Sequence, residues 1–228
     1  MAIILNIETS TTTCSAALAQ NGNVVKQLVT HEGMNHAKKL PLYIEELLQF
    51  AKDNALTIEA VAVSSGPGSY TGLRIGVSTA KGLCYGLQVP LISIDTLAII
   101  AAPVLKRCPA TALACPMIDA RRMEVYTALY NKECKRVNSV EAKIIDETAF
   151  TQELEQQAIY FCGNGSQKCE STIIHDNAHF VNDITPLAEN MVPLSEAKFQ
   201  NKEFENVAYF EPFYLKEFQA MTSKKKLF

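Results

Sequence analysis

No stretch of this 228-residue chain approaches the roughly 20 consecutive apolar residues of a membrane-spanning helix. The N-terminus also lacks a basic segment followed by an apolar core. Met1 to Glu8 enters a strand at once, so no signal peptide is expected. Cys-x-x-Cys pairs are absent. The seven cysteines, Cys14, Cys84, Cys108, Cys115, Cys134, Cys162 and Cys169, are scattered and odd in number, a usage that fits reduced thiols in a cytoplasmic protein. Charge of one sign is missing too. A formal net charge of −3 builds no broad basic field, so RNA is expected to be met only indirectly, in company with a partner. No internal repeat is visible. What the chain does have is apolar residues, at 48% of its length, enough to bury a core in one large domain or two small lobes.

The apolar pattern changes period along the chain. Ile3 to Glu8, Cys14 to Ala19 and Val24 to Val29 read as an antiparallel meander, with Asn21-Gly22-Asn23 as a turn. From Asn35, apolar residues at Leu40, Tyr43, Ile44, Leu47, Leu48 and Ala51 recur at three and four, as on one face of a helix. Pro41 is tolerated there because it lies near the helix start. A strand over Ala60 to Ser65, a helix to about Gly86, a short strand at Pro90 to Ile94 and a helix from Thr96 to about Lys106 come next. Pro103 and Pro109 flank a lobe boundary near residue 105. The expected division is 1–105, then 106–220, then a mobile basic tail, 221–228, carrying Lys224-Lys225-Lys226. In the second part, Thr111 to Ile118 and Met123 to Tyr130 read as strands around the polar turn Asp119-Ala120-Arg121-Arg122. Past Tyr130 the pattern is less regular: an alternating run to Ile145, a short helix near Thr148 to Gln156, an apolar run Ala158 to Cys162 ending in Gly163-Asn164-Gly165, and a helix after Pro186.

The densest signal is Ser64-Ser65-Gly66-Pro67-Gly68-Ser69-Tyr70-Thr71-Gly72-Leu73-Arg74-Ile75-Gly76, continuing to Ala80-Lys81-Gly82-Leu83. A strand, a glycine-rich turn and a helix with small residues four apart can hold an anion at the helix start or admit another backbone at short range. Gly72, Gly76 and Ala80 form one small stripe, while Ser78, Gly82 and Gly86 form a second on a different face. One stripe serves the chain's own sheet and the other is free for a partner helix. The first is expected to be the partner stripe. Such glycines cost roughly 1 kcal/mol each in a helix, which close packing offsets.

Three strands, then helix, strand, helix, strand, helix is the element order of the ribonuclease-H-like lobe of actin, Hsp70 and sugar kinases. In that fold the turn after the first strand approaches nucleotide phosphate. Here it is Thr9-Ser10-Thr11-Thr12-Thr13, rich in hydroxyls but without lysine or glycine. Glu8, just before it, stands where such enzymes often keep a metal-steering acid.

Ile7-Glu8-Thr9-Ser10, the glycine block, Asp119-Ala120-Arg121-Arg122-Met123-Glu124-Val125-Tyr126 and Tyr214-Leu215-Lys216 together resemble the TsaB family, also called YeaZ, over nearly the whole chain. The resemblance implies an α/β protein of two ribonuclease-H-like lobes, the second abbreviated. It also implies a scaffold subunit of the tRNA threonylcarbamoyladenosine machinery, partnered in a heterodimer by TsaD, the transferase that modifies the adenosine beside the anticodon. A homodimer in isolation and a third, TsaE-like ATPase subunit stay open.

TsaD shares the first lobe, so catalysis by this chain has to be weighed. Catalytic relatives carry a metal-binding His-x-x-x-His pair just after the strand that ends the glycine block, since a helix sets residues four apart on one face. Thr96 and Ile100 occupy that spacing here. The pairs His31 with His36 and His175 with His179 do not restore a site: the first spans a helix start, and the second sits in a polar segment of the other lobe. No catalytic, cofactor-binding or metal residue is therefore assigned, and weak or absent nucleotide binding is expected of the chain alone. The alternatives are a glycoprotease-like metallohydrolase and a self-contained ATP-binding kinase. The expected partner interface is Leu40, Tyr43, Ile44, Leu47 and Leu48 with Gly72, Gly76 and Ala80. A further candidate site at the lobe junction is Asp119, Arg121 and Arg122.

Overall fold

The computed structural model of the chain describes residues 2–33 and 35–216. The lysine tail expected to be mobile lies outside them. Strands β1 (Ile3–Glu8), β2 (Cys14–Gln20) and β3 (Asn23–Thr30) form the meander, followed by helix α1 (His36–Asp53), β4 (Ala60–Gly66), α2 (Tyr70–Leu87), β5 (Leu91–Asp95) and α3 (Thr96–Leu105). These make a five-stranded sheet in the order β3-β2-β1-β4-β5, antiparallel across β1 to β3 and parallel from β1 through β4 to β5.

A second sheet repeats that plan. Its strands β6 (Leu113–Asp119), β7 (Glu124–Thr127), β8 (Glu141–Ile144), β9 (Ile159–Cys162) and β10 (Ala178–Val181) lie in the order β10-β9-β6-β7-β8. Again the first three pair antiparallel and the last two add in parallel. Strand β6 thus stands in for β1, and β9 for β4. The sequence carries no visible repeat because the two lobes share a topology and not a residue pattern. Reduction of the second lobe is concrete: where α2 follows β4, only a 3-10 helix (Gln167–Cys169) follows β9, and α4 (Thr151–Gln156) is six residues long.

Alternation along β1 explains the layering. Ile3, Leu5 and Ile7 face one side, in a core with Leu40, Leu47 and Val77 of α1 and α2. Ala2 and Ile4 face the other, against Ile99 of α3 and Met191 of the last helix, α5 (Ala188–Gln200). Helix α3 is apolar all round, as its place between the two sheets requires.

Within the part expected as 106–220, α5 returns to pack on β1, β2 and β5 of the first sheet. The Ser195 hydroxyl donates to Asn6 Oδ1 at 2.7 Å, and Ser15 Oγ accepts from the Ala188 amide at 2.9 Å. Nothing beside Asn6 or Ser15 in the sequence hints at this, since their partners lie 189 and 173 residues away in the chain. Strand β10, half-exposed and holding His179, forms where the sequence shows only a polar segment.

Candidate functional site

The carboxyl end of the first sheet is where an open α/β fold offers a ligand crevice, where connections leave neighbouring strands in different directions. There β1 ends at Glu8 and β4 runs into the turn Gly66-Pro67-Gly68, whose Gly66–Pro67 bond is cis. The Ser10 amide and hydroxyl both donate to Glu8 Oε1, at 2.6 and 2.5 Å. Glu8 Oε2 and Ser64 Oγ are both buried, and the Ser64 hydroxyl acts on the Glu8 carboxyl alongside Ser10. Burial lifts the Glu8 carboxyl from 4.5 to about 7, with the Ser10 hydrogen bonds opposing the rise.

The glycines close this end. A Cβ on Gly68 would stand 2.4 Å from the Ser10 carbonyl oxygen, one on Gly72 2.1 Å from the Thr9 carbonyl oxygen, and one on Gly76 2.2 Å from Thr9 Oγ1. Only glycine permits such an approach, so the start of α2 presses on the turn after β1. Ser69 caps α2 by accepting from the Gly72 amide, and its own amide donates to the Ser10 carbonyl.

Residues 206–216 then lie over the glycine turn. The Phe213 amide donates to the Ser65 carbonyl at 2.7 Å, and the Phe213 carbonyl oxygen fills the space a Gly66 Cβ would take. Lys81 reaches the carbonyls of Ala208 and Phe210, the Tyr214 ring lies 4.8 Å from that of Tyr70, and Lys216 pairs with Glu124 at 2.5 Å on the second lobe. The chain's own backbone therefore occupies the mouth of the crevice.

Below that mouth, Thr96 and Ile100 are both fully buried. Thr96 Oγ1 accepts from the Gly66 amide at 3.2 Å, and Ile100 packs on Gly163. Asp95 caps α3 through Leu97 and accepts the Tyr130 hydroxyl at 2.7 Å, a polar joint between the lobes that Arg136 approaches at 3.4 Å. Burial raises both the Asp95 and the Tyr130 pKa. His31 lies against Thr13, His175 accepts from the Asn177 amide, and His179 stacks on Tyr160. Among the described residues no three His, Cys, Asp or Glu gather as a metal-ligand set.

A family model described as TsaD, tRNA N6-adenosine threonylcarbamoyltransferase, matches residues 18–224. The tRNA threonylcarbamoyladenosine biosynthesis protein TsaB of Escherichia coli K12 is 30% identical over 225 residues, which cover 93% of this chain and 94% of that one. The chain belongs to the TsaB family. The solved YeaZ structure from Pseudomonas aeruginosa superposes with a TM-score of 0.81 at 25% identity, covering 94% of this chain and all of that one. A tRNA N6-adenosine threonylcarbamoyltransferase, from Fervidobacterium nodosum, is 33% identical over 108 residues, only 41% of this chain and 32% of the enzyme. Likeness to TsaB thus runs end to end, whereas this likeness to the transferase is partial. No helix among the described residues is long and apolar enough to cross a membrane.

In this TsaB-family chain the residues expected at the partner interface are largely spent on the chain's own core. Leu40, Ile44 and Leu47 are buried against the first sheet, while Tyr43 and Leu48 are half-buried beside them. Gly72, Gly76 and Ala80 are buried as well, the glycines against Thr9. The first stripe, expected to face a partner, thus faces the chain's own turn after β1. The outward stripe is Ser78, Gly82 and Gly86, with Tyr85 beside it at 78% exposure. On α1 the outward positions include Leu42, Glu45, Glu46 and Gln49. The helical period of apolar residues marks the side a helix buries, so it points away from these. Asp119, Arg121 and Arg122 do come together, exposed at the tip of the β6–β7 hairpin.

Proposed function

We propose that this chain is the non-catalytic scaffold subunit of a tRNA threonylcarbamoyladenosine biosynthesis complex, acting in the cytoplasm by binding a TsaD-like transferase. TsaB-family membership supports the biosynthetic role. The crevice of the first lobe is filled from within by glycine contacts and by residues 206–216. Its buried carboxyl, Glu8, favours the protonated form below about 7. Those features suit a supporting fold better than a reaction centre. Free thiols at all seven cysteines fit a reducing compartment.

The docking surface in this reading is the outer face of α1 and α2. One observation carries it: a Cβ on Gly82 or Gly86 would meet nothing within 4 Å, so the helix offers bare backbone outward. Helix interiors disfavour glycine, and a partner helix seated closely on that stripe offsets the cost. Co-expression with a TsaD-like chain, followed by size-exclusion chromatography, tests the docking. A stable heterodimer is expected, together with loss of threonylcarbamoyladenosine from tRNA when this chain is depleted. Full modification in a complete knockout would overturn the assignment.

A further inference from the structure

Four strands stand at the edges of the two sheets, β3 and β5 in the first and β8 and β10 in the second. An edge strand presents unpaired N–H and C=O groups, which proteins blunt or cover. Edge β5 is covered: Leu91 bridges to Glu205, whose carboxylate accepts the Ser93 hydroxyl at 2.5 Å. Strands β8 and β10 are four residues long. At eight residues β3 is the longest edge, and it pairs with β2 alone. A bulge at Val25 interrupts its ladder, after which Lys26 to Thr30 run in regular register with Leu18 to Cys14. Every second residue of that run turns its N–H and C=O away from β2. Among the described residues no other segment takes those groups up.

The guard on this edge is turned aside. A lysine on an edge keeps other strands off, but Lys26 Nζ is drawn over to α1, 2.7 Å from Glu46 Oε1 and 5.0 Å from the centre of the Phe50 ring. Val24 and Val25 are exposed beside it. Between β3 and α1 runs a surface groove, lined by apolar Leu42 and Phe50 and by the carboxylates of Glu45, Glu46 and Asp53. Lys26 answers Glu46. Asp53 accepts from the neutral Gln49 amide at 2.7 Å, and neither it nor Glu45 has an ion pair among the described residues. On the other face of β3 lies α5, whose exposed Glu189 donates its amide to Gln27 Oε1. Carboxylates therefore flank the open edge on both faces.

Helix α1 packs on β2 and β3, and α2 on β4, β1 and β5. In the order β3-β2-β1-β4-β5 the groove thus opens on the flank of α1 away from α2, with Leu42 and Glu45 on its rim. We propose that the free edge of β3 takes an added strand from a protein partner, an extended segment whose lysine or arginine side chains reach the α1 groove on one face and Glu189 on the other. The backbone ladder supplies the hold and the carboxylates choose the sequence. Surplus negative charge turns nucleic acid away from the same edge.

The test uses the full chain alone, so its result is separate from docking of a TsaD-like partner. The probe is a blocked nonapeptide alternating lysine and threonine, followed by fluorescence anisotropy and by amide hydrogen exchange. Binding is expected, with new protection across Lys26 to Thr30. A peptide with glutamate for lysine should not bind, and one N-methylated at three successive central residues, which completes no ladder, should bind at least about tenfold more weakly. Glu45→Gln with Asp53→Asn, both at the surface, should fold as the parent does and bind the lysine peptide about threefold to tenfold less tightly. No binding of the lysine peptide overturns the site. Equal binding of the N-methylated peptide, or protection confined to α1, overturns strand addition in favour of a merely acidic surface. Equal affinity in the double variant removes the groove carboxylates from recognition. Protection of Lys26 to Thr30 that rises with protein concentration and without peptide overturns the assignment in favour of a second copy of this chain.

Discussion

Thr9 and Gly72 hold each other from both sides. The Thr9 hydroxyl donates to the Gly72 carbonyl at 2.8 Å, and a Cβ on Gly72 would stand 2.1 Å from the Thr9 carbonyl oxygen. This pair sets the distance between α2 and the turn after β1, and so closes the crevice of the first lobe.

Gly72→Ala should accordingly act on stability before it acts on any partner. The new methyl has only backbone to displace, and overpacking of that kind costs about 1 to 3 kcal/mol. Gly76→Leu should be worse, since it drives a whole side chain into Thr9 and Val63. Urea denaturation of the isolated chain measures both; unchanged midpoints would show that α2 can shift away from the turn freely.

Gly82→Leu should behave in the opposite way. Open space surrounds Gly82, and replacing a helical glycine gains up to about 1 kcal/mol. The variant should melt at or above the parent temperature and yet fail to co-elute with a TsaD-like partner. Normal co-elution of both Gly82→Leu and Ser78→Leu would remove the outer face of α2 from the interface.

Glu8 predicts a pH dependence with a definite sign. Its carboxyl titrates near 4.5 when unfolded and about 7 when folded, so the native state holds the proton more tightly. The contribution is complete below about 4.5 and is lost as pH rises through about 7. The span corresponds to about 3 kcal/mol. In Glu8→Gln the amide oxygen still accepts from Ser10 and no charge appears on raising the pH. Denaturation at pH 5 and pH 8 should therefore show the parent losing more stability than the variant. Parallel profiles would place the Glu8 titration back in the ordinary carboxylate range.

Tyr130→Phe tests the joint between the lobes. It removes the hydroxyl that Asp95 accepts at 2.7 Å and leaves a largely buried carboxylate with a longer contact to Arg136. A loss of about 1 to 3 kcal/mol is expected. Hydrogen exchange at the start of α3 should rise with it. If neither changes, Asp95 is satisfied by its capping bond to Leu97 alone.

The amino-acid sequence determined the elements, because the signals for them are local. Alternating apolar residues mark β1, a three-and-four period marks α1, and small residues four apart mark α2 as a helix meant for close approach. The motifs that carry the resemblance also lie in continuous stretches, which made the family legible before the fold. What only the tertiary structure decided is direction and company. Two small stripes on α2 look alike in the sequence, and the position of Thr9 decides that Gly72 and Gly76 face inward. The bond between Ser195 and Asn6, which brings α5 back to the first sheet, could not be read from either residue. Nor could the cover that residues 206–216 lay over the glycine turn. Such contacts join segments far apart in the chain, and their energy depends on where the fold has carried each backbone, which no local pattern records.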